Sequence, residues 1–195
     1  MTELFQSLLQ KTSLDTTRLY ILLGTLFTLV ALVIVFRRQL GEWLEERHVK
    51  RMTRRLGVRR LRNLHLQDGM GGEVSIDYLL LTRDGLLVIG VKRFSGLIFG
   101  GQQTDQWTQV INRVSYKFPN PDEYLHRQIN AVRMLAPDVA VSGVHLFTHR
   151  AEFPKGKPDN VMSTREIRQL PKRPAQRDIP GKLRTAWVQL VDSIS

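Results

Sequence analysis

The most sustained pattern along the chain is an uncharged run at residues 19–36. Its 18 positions are mostly Leu, Val, Ile and Phe, with Gly24, Thr25 and Thr28 as the small or polar exceptions. A helix of that length rises ~27 Å, close to the ~30 Å of a bilayer's hydrocarbon core. Tyr20 stands near one end, where an amphipathic ring faces headgroups, and Arg37 and Arg38 follow the other. No small-residue cleavage site follows the run, and 18 residues precede it, so a membrane span fits better than a signal peptide. A buried core helix is the remaining reading, and the run is long for one.

After the run the spacing of apolar positions changes. Residues 42–56 place Val49, Met52 and Leu56 on one helical stripe, and Gly57 ends it. Residues 61–66 read as a short strand and 67–72 as a Gly-rich turn. Residues 74–82 and 86–92 are strands apolar on both faces, which predicts central places in a sheet covered on both sides. Asp84-Gly85 between them predicts a two-residue hairpin turn. Residues 97–99 add a third strand, and 107–118 read as strand or loop. A helix is predicted over 122–135, with Leu125, Ile129, Val132 and Leu135 on one face. Residues 144–147 form a short strand and 153–160 a loop. Ser163 and Glu166 form a capping box that opens a short helix. Leu183, Trp187, Leu190, Val191 and Ile194 mark a terminal amphipathic helix.

The order predicts an α/β fold: an N-terminal transmembrane helix, then a mixed sheet flanked by helices. The chain divides into a short tail (1–18), the span (19–36), a basic juxtamembrane helix (37–60), a folded domain (61–170), and a basic linker with a C-terminal helix (171–195).

Charge changes the picture next. There are 29 Lys and Arg against 18 Asp and Glu, a net charge of +11, which implies attraction to polyanions. Ten of the basic residues, with three Glu, lie between Arg37 and Arg62. Only Lys11 and Arg18 precede the apolar run, so the C-terminal side is expected in the cytoplasm and the N-terminus outside an inner membrane. Arg51, Arg54, Arg55, Arg59, Arg60 and Arg62 become candidate contacts to DNA or to anionic lipid, where each cation adds ~1 kcal/mol. A solvated helix face is the plain alternative. With no cysteine, disulfides and Cys-based zinc sites are excluded.

Candidate chemistry sits on the hairpin. With Asp84-Gly85 as the loop, Arg83 pairs with Leu86, Asp77 lies opposite Lys92, and position 90 is a diagonal neighbour of Asp77. Asp77 and Lys92 are then the only charges inside two very apolar strands, and buried charge needs a partner or a metal. Either a cross-strand ion pair or a site accounts for them. The histidines at 48, 65, 126, 145 and 149 show no metal-ligand spacing and read as ordinary polar residues.

From residue 61 to 118 the sequence resembles the nuclease-related domain, grouped with the PD-(D/E)xK nucleases. The resemblance is carried by Arg62-Asn63-Leu64-His65-Leu66, by Ile76-Asp77-Tyr78, and by Asp84-Gly85-Leu86-Leu87-Val88-Ile89 with Val91-Lys92. Phe94-Ser95-Gly96-Leu97-Ile98, Gln106-Trp107-Thr108-Gln109 and Phe118-Pro119-Asn120-Pro121 extend it. The resemblance implies an Mg²⁺ site in which Asp77 is the aspartate, the Val91 carbonyl a ligand, and Lys92 the lysine that orients water. It implies a catalytic glutamate at position 90, where this chain has Gly90. Glu46 matches the family's helical glutamate, with Glu45 as the alternative on the same stripe as Val49. The resulting expectation is a membrane-anchored cytoplasmic module, catalytically degenerate, that binds nucleic acid or a protein partner. A weak or rewired Mg²⁺-dependent nuclease is the alternative, and a structural component of a membrane complex is the second.

Overall fold

A computed structural model describes the backbone of residues 2–170, 175 and 178–194. Most of the basic linker expected at 171–181 lies outside the described residues. The chain forms two compact units, residues 1–47 and 48–195.

The first unit is helical, the greater part of α1 (Thr2–Leu56). It includes one helix long and apolar enough to cross a membrane, and the side chains from Leu19 to Phe36 are exposed along it. Within that stretch Thr25 donates its hydroxyl to the Leu22 carbonyl and Thr28 to the Thr25 carbonyl, both at 2.9 Å. Their polar atoms are thus satisfied inside the helix, as an apolar environment requires. Residues ahead of the apolar run continue α1, where the sequence suggested only a tail.

In the second unit, the last turns of α1 are followed by β1 (Arg59–Gln67), β2 (Glu73–Leu81) and β3 (Leu86–Lys92). Then come β4 (Gly96–Phe99), β5 (Gln106–Ile111), β6 (Val114–Pro119), α2 (Asp122–Leu135), β7 (Val141–Phe147) and β8 (Ala151–Glu152). The chain closes with β9 (Val161–Ser163), α3 (Thr164–Ile167) and α4 (Gly181–Ile194). The strands make two sheets. The larger has the order β1-β2-β3-β7-β9, and the other β6-β5-β4-β8. The first three strands of the larger sheet are antiparallel, whereas β3, β7 and β9 run parallel.

The larger sheet is covered on both faces. On one, Leu125, Ile129 and Val132 of α2 and Leu183, Trp187 and Leu190 of α4 pack on Leu64, Val74, Ile76 and Val88. On the other, Val49 and Met52 from the end of α1 and Ile167 of α3 pack on Tyr78, Leu80, Ile89 and Leu146. Double coverage explains why β2 and β3 carry apolar residues at successive positions. The second sheet is a departure from the single sheet expected. It docks through Ile98 and Trp107 onto Phe147 of β7, with the Trp107 and Phe147 rings stacked 6.2 Å apart.

The hairpin register also departs from expectation. Leu81 pairs with Leu86, and the Thr82 N–H donates to the Gly85 carbonyl at 2.9 Å. The two-residue loop is therefore Arg83-Asp84, not Asp84-Gly85. This shifts the pairing by two, so Asp77 falls across from Gly90 instead of Lys92.

Candidate functional site

Asp77 sits where β2 is irregular. β1 and β2 pair on either side of it, Arg62 with Tyr78 and Leu64 with Ile76, but the pair between is missing. Its would-be partner Asn63 has φ 51°, a left-handed conformation that asparagine tolerates. The β2–β3 ladder ends at Tyr78 and Ile89. Beyond it the Asp77 carboxylate continues the ladder, Oδ2 accepting from the Val91 N–H at 2.7 Å. Among the described residues no ion pair joins Asp77 to Lys92. The carboxylate is held by backbone, which satisfies it without a cation.

Gly90 pairs in parallel register with His145 of β7. A Cβ at Gly90 would stand 3.6 Å from His145 Nδ1 and 3.9 Å from Gln128 Oε1, both ordinary contacts. His145 is 1% exposed, and its Nε2 lies 2.8 Å from Asp122 Oδ1. Asn160 donates its amide to the same oxygen at 2.7 Å. Asp122 in turn opens α2, its N–H donating to Asn120 Oδ1 at 3.0 Å. Gln128 is buried on α2 and donates its amide to the Ser75 carbonyl. His145 Nδ1 has no hydrogen-bond partner. Burial holds the imidazole below its ordinary pKa of 6.5 and the Lys92 charge adds to this, while the hydrogen bond to Asp122 works the other way. The ring is accordingly neutral at neutral pH.

Lys92 is half-buried at the end of β3, and its carbonyl accepts from the Thr148 N–H at 3.1 Å. Asp77, in the middle of β2, thus meets Val91 at the end of β3, next to Lys92 in sequence. Glu46 belongs to the first unit and is exposed on α1; Glu45, its alternative, is half-buried there. Two groups at the strand end escaped the sequence reading, His145 and Gln128. The available signal was a polar residue between Val144 and Leu146-Phe147 in a strand whose final residues are all buried.

The residues around Asp77 do not make a site for a hard divalent cation. One carboxylate is present, already engaged by Val91, and position 90 offers none. Among the described residues no three His, Asp or Glu side chains gather as a metal site.

The basic candidates lie elsewhere in the second unit. Arg51, Arg54 and Arg55 are exposed on the last turns of α1, and Arg59 and Arg62 on β1, an edge strand. Arg60 is half-buried and donates to the Lys50 carbonyl at 2.9 Å. A cleft of about 1010 Å³ opens beside the N-terminus of α2. It is lined by Asp105, Asp122, Glu123 and His126 among others, with no Lys or Arg.

A family model described as nuclease-related domain matches residues 39–148, more than half of the chain. An uncharacterized protein of Bacillus anthracis is 27% identical over 127 residues, which cover 60% of each chain. The chain therefore spans about 60% of the length of that curated relative. No solved structure matches it.

Proposed function

Because the chain belongs to the nuclease-related domain family, we propose that it is a membrane-anchored cytoplasmic module that binds nucleic acid and has lost metal-dependent cleavage. The observation that carries the second half is Gly90. The family's second carboxylate is absent there, and Asp77 spends its Oδ2 on the Val91 N–H. Without two carboxylates a hard cation lacks both ligands and compensating charge. The family relationship gives a prior for nucleic acid, and function is argued from the site.

Binding is assigned to the exposed arginines on α1 and β1. A phosphate backbone needs cations, and the 1010 Å³ cleft supplies carboxylates instead. Anionic lipid is the competing partner, because the same arginines follow the apolar part of α1. The rewired nuclease keeps one observation in its favour: Lys92 still occupies the strand end beside an imidazole.

The test is duplex binding by the full chain in detergent, titrated with salt. Weak binding without sequence preference is expected, falling steeply as salt rises because each neutralised phosphate releases counterions. Arg54→Ala with Arg59→Ala should lower the salt slope by roughly one per lost contact. Absence of binding at low salt, with retention on anionic vesicles, would transfer the arginines to lipid.

A further inference from the structure

Beyond the apolar run, α1 keeps an apolar side for two more turns. Leu40, Trp43 and Leu44 are 41%, 47% and 52% exposed, all within the first unit. With 3.6 residues per turn these three positions fall within about 100° of arc. Glu42, Glu45 and Glu46 fall on the other side of the same helix. A helix that passed from the membrane straight into water would gain nothing from leucine and tryptophan on one side. One exposed apolar stripe opposite a charged face is the pattern of a helix resting in a bilayer interface. The stripe is also continuous with the exposed apolar side chains of residues 19–36.

One turn further on, Arg47 Cζ stands 3.8 Å from the centre of the Trp43 ring. At that distance the guanidinium is stacked on the indole face. Stacking leaves the five N–H donors in the guanidinium plane, a fork that suits the paired oxygens of a phosphate. Among the described residues no carboxylate pairs with Arg47. Depth decides whether the pair can meet lipid. Centred on residues 19–36, a ~30 Å hydrocarbon core ends near Arg37. Trp43 lies six residues later, ~9 Å along the axis. The headgroup layer outside the core is about 5–8 Å deep. Side chains on a helix lean toward its N-terminus, here back toward the membrane, and an ordinary tilt of ~20° shortens the rise. The indole thus falls within the headgroup layer, and Arg47, lying over it, falls at the same level.

We propose that Leu40, Trp43, Leu44 and Arg47 form an interfacial dock for phospholipid. The indole and the two leucines lie among headgroups and upper acyl chains, and the Arg47 guanidinium, stacked on Trp43, holds a headgroup phosphate. The dock sets the depth of α1, because a ring with an apolar body and a polar N–H is held at the boundary of the two media. The inference rests on the membrane-anchored reading and is independent of nucleic-acid binding.

Tryptophan fluorescence tests it on the full chain, because the other two indoles are buried in the second unit: Trp107 is 0% and Trp187 3% exposed. The chain is reconstituted into vesicles of phosphatidylcholine and phosphatidylglycerol, with brominated lipid as the contact quencher. The difference between wild type and Trp43→Phe isolates the emission of Trp43. That emission should be lost with bromines high on the acyl chain and largely kept with bromines near the chain end. The emission remaining in Trp43→Phe should respond to neither. Arg47→Gln should reduce the shallow quenching and shift the Trp43 emission to the red, as the ring loses its hold on the headgroup. Flotation of the same vesicles reports anchoring separately. A chain that does not float refutes the membrane-anchored reading itself. A chain that floats with Trp43 unquenched overturns the dock alone, and leaves this side of α1 to a second copy or to nucleic acid. Stronger quenching from the chain end than from the top overturns the interfacial depth, and an Arg47→Gln protein quenched like wild type overturns the phosphate contact.

Discussion

At Gly90 the root of a larger side chain has room, since an added Cβ meets nothing closer than 3.6 Å. That makes Gly90→Glu an informative variant instead of a merely disruptive one. Wild type is expected to show no robust Mg²⁺-dependent cleavage of supercoiled DNA. Gly90→Glu should fold and gain Mg²⁺ affinity, and any cleavage it acquires should disappear in the double variant with Asp77→Ala. Strong cleavage by wild type that is lost in Asp77→Ala would mean another group supplies the ligand, with Glu46 the first to examine. A second residue-scale prediction concerns Asp68, in the turn between β1 and β2. Its carboxyl is held below the ordinary 3.8 by the Met70 N–H first, then by Arg127 at 2.7 Å and the Gly72 N–H. A depressed folded-state pKa stabilises the fold fully above the unfolded value, and that contribution is lost as pH falls through the lower folded value. Acid unfolding should therefore steepen below about pH 3.8, and Asp68→Asn should flatten that part of the curve. An unchanged acid limb in Asp68→Asn would remove this group from the account.

At the scale of elements, the helices and the two central strands were legible because their apolar spacing is strong. The prediction of 122–135 and 86–92 matches α2 and β3 to the residue. The hairpin turn was not, for a physical reason. Asp84-Gly85 carries the composition of a tight turn, but the glycine serves a different need. Gly85 has φ +146°, and a Cβ there would lie 2.2 Å from the Ala140 carbonyl oxygen, which accepts from the Leu86 N–H at 2.9 Å. The glycine admits a neighbouring backbone at the start of β3, and neither Arg83 nor Asp84 has positive φ. Gly85→Ala should accordingly destabilise the domain by roughly 1–3 kcal/mol or more, from conformation plus collision. Urea denaturation measures it, and a loss below half a kilocalorie would argue that the close approach is not real. His145 escaped for a related reason: its partners Asp122 and Asn160 are distant in sequence, and only the parallel β3–β7 pairing sets it beside Gly90. The second sheet was half visible. Its β5–β6 hairpin turns at Asn112-Arg113, both with positive φ, and arginine gives no signal for that conformation.

At the scale of the whole molecule, the basic excess is unevenly placed, and its placement bears on orientation. Residues 37–62 hold ten of the 29 basic residues, whereas only Lys11 and Arg18 stand ahead of the apolar run. The positive-inside bias counts such residues within short distance of a span, and here it is strongly one-sided. The same side carries the folded unit with Asp77, His145 and the exposed arginines. A nucleic-acid-binding role requires that unit to share a compartment with nucleic acid, so orientation and proposed function stand or fall together. Fusions after Ser195 are expected to give cytoplasmic reporter activity and no alkaline phosphatase activity. Replacing Arg37, Arg38, Arg47, Lys50 and Arg51 by neutral residues should let part of the population invert. Phosphatase activity from the unmodified fusion would put the arginines on the wrong side for DNA, and the lipid or partner readings would then have to account for them.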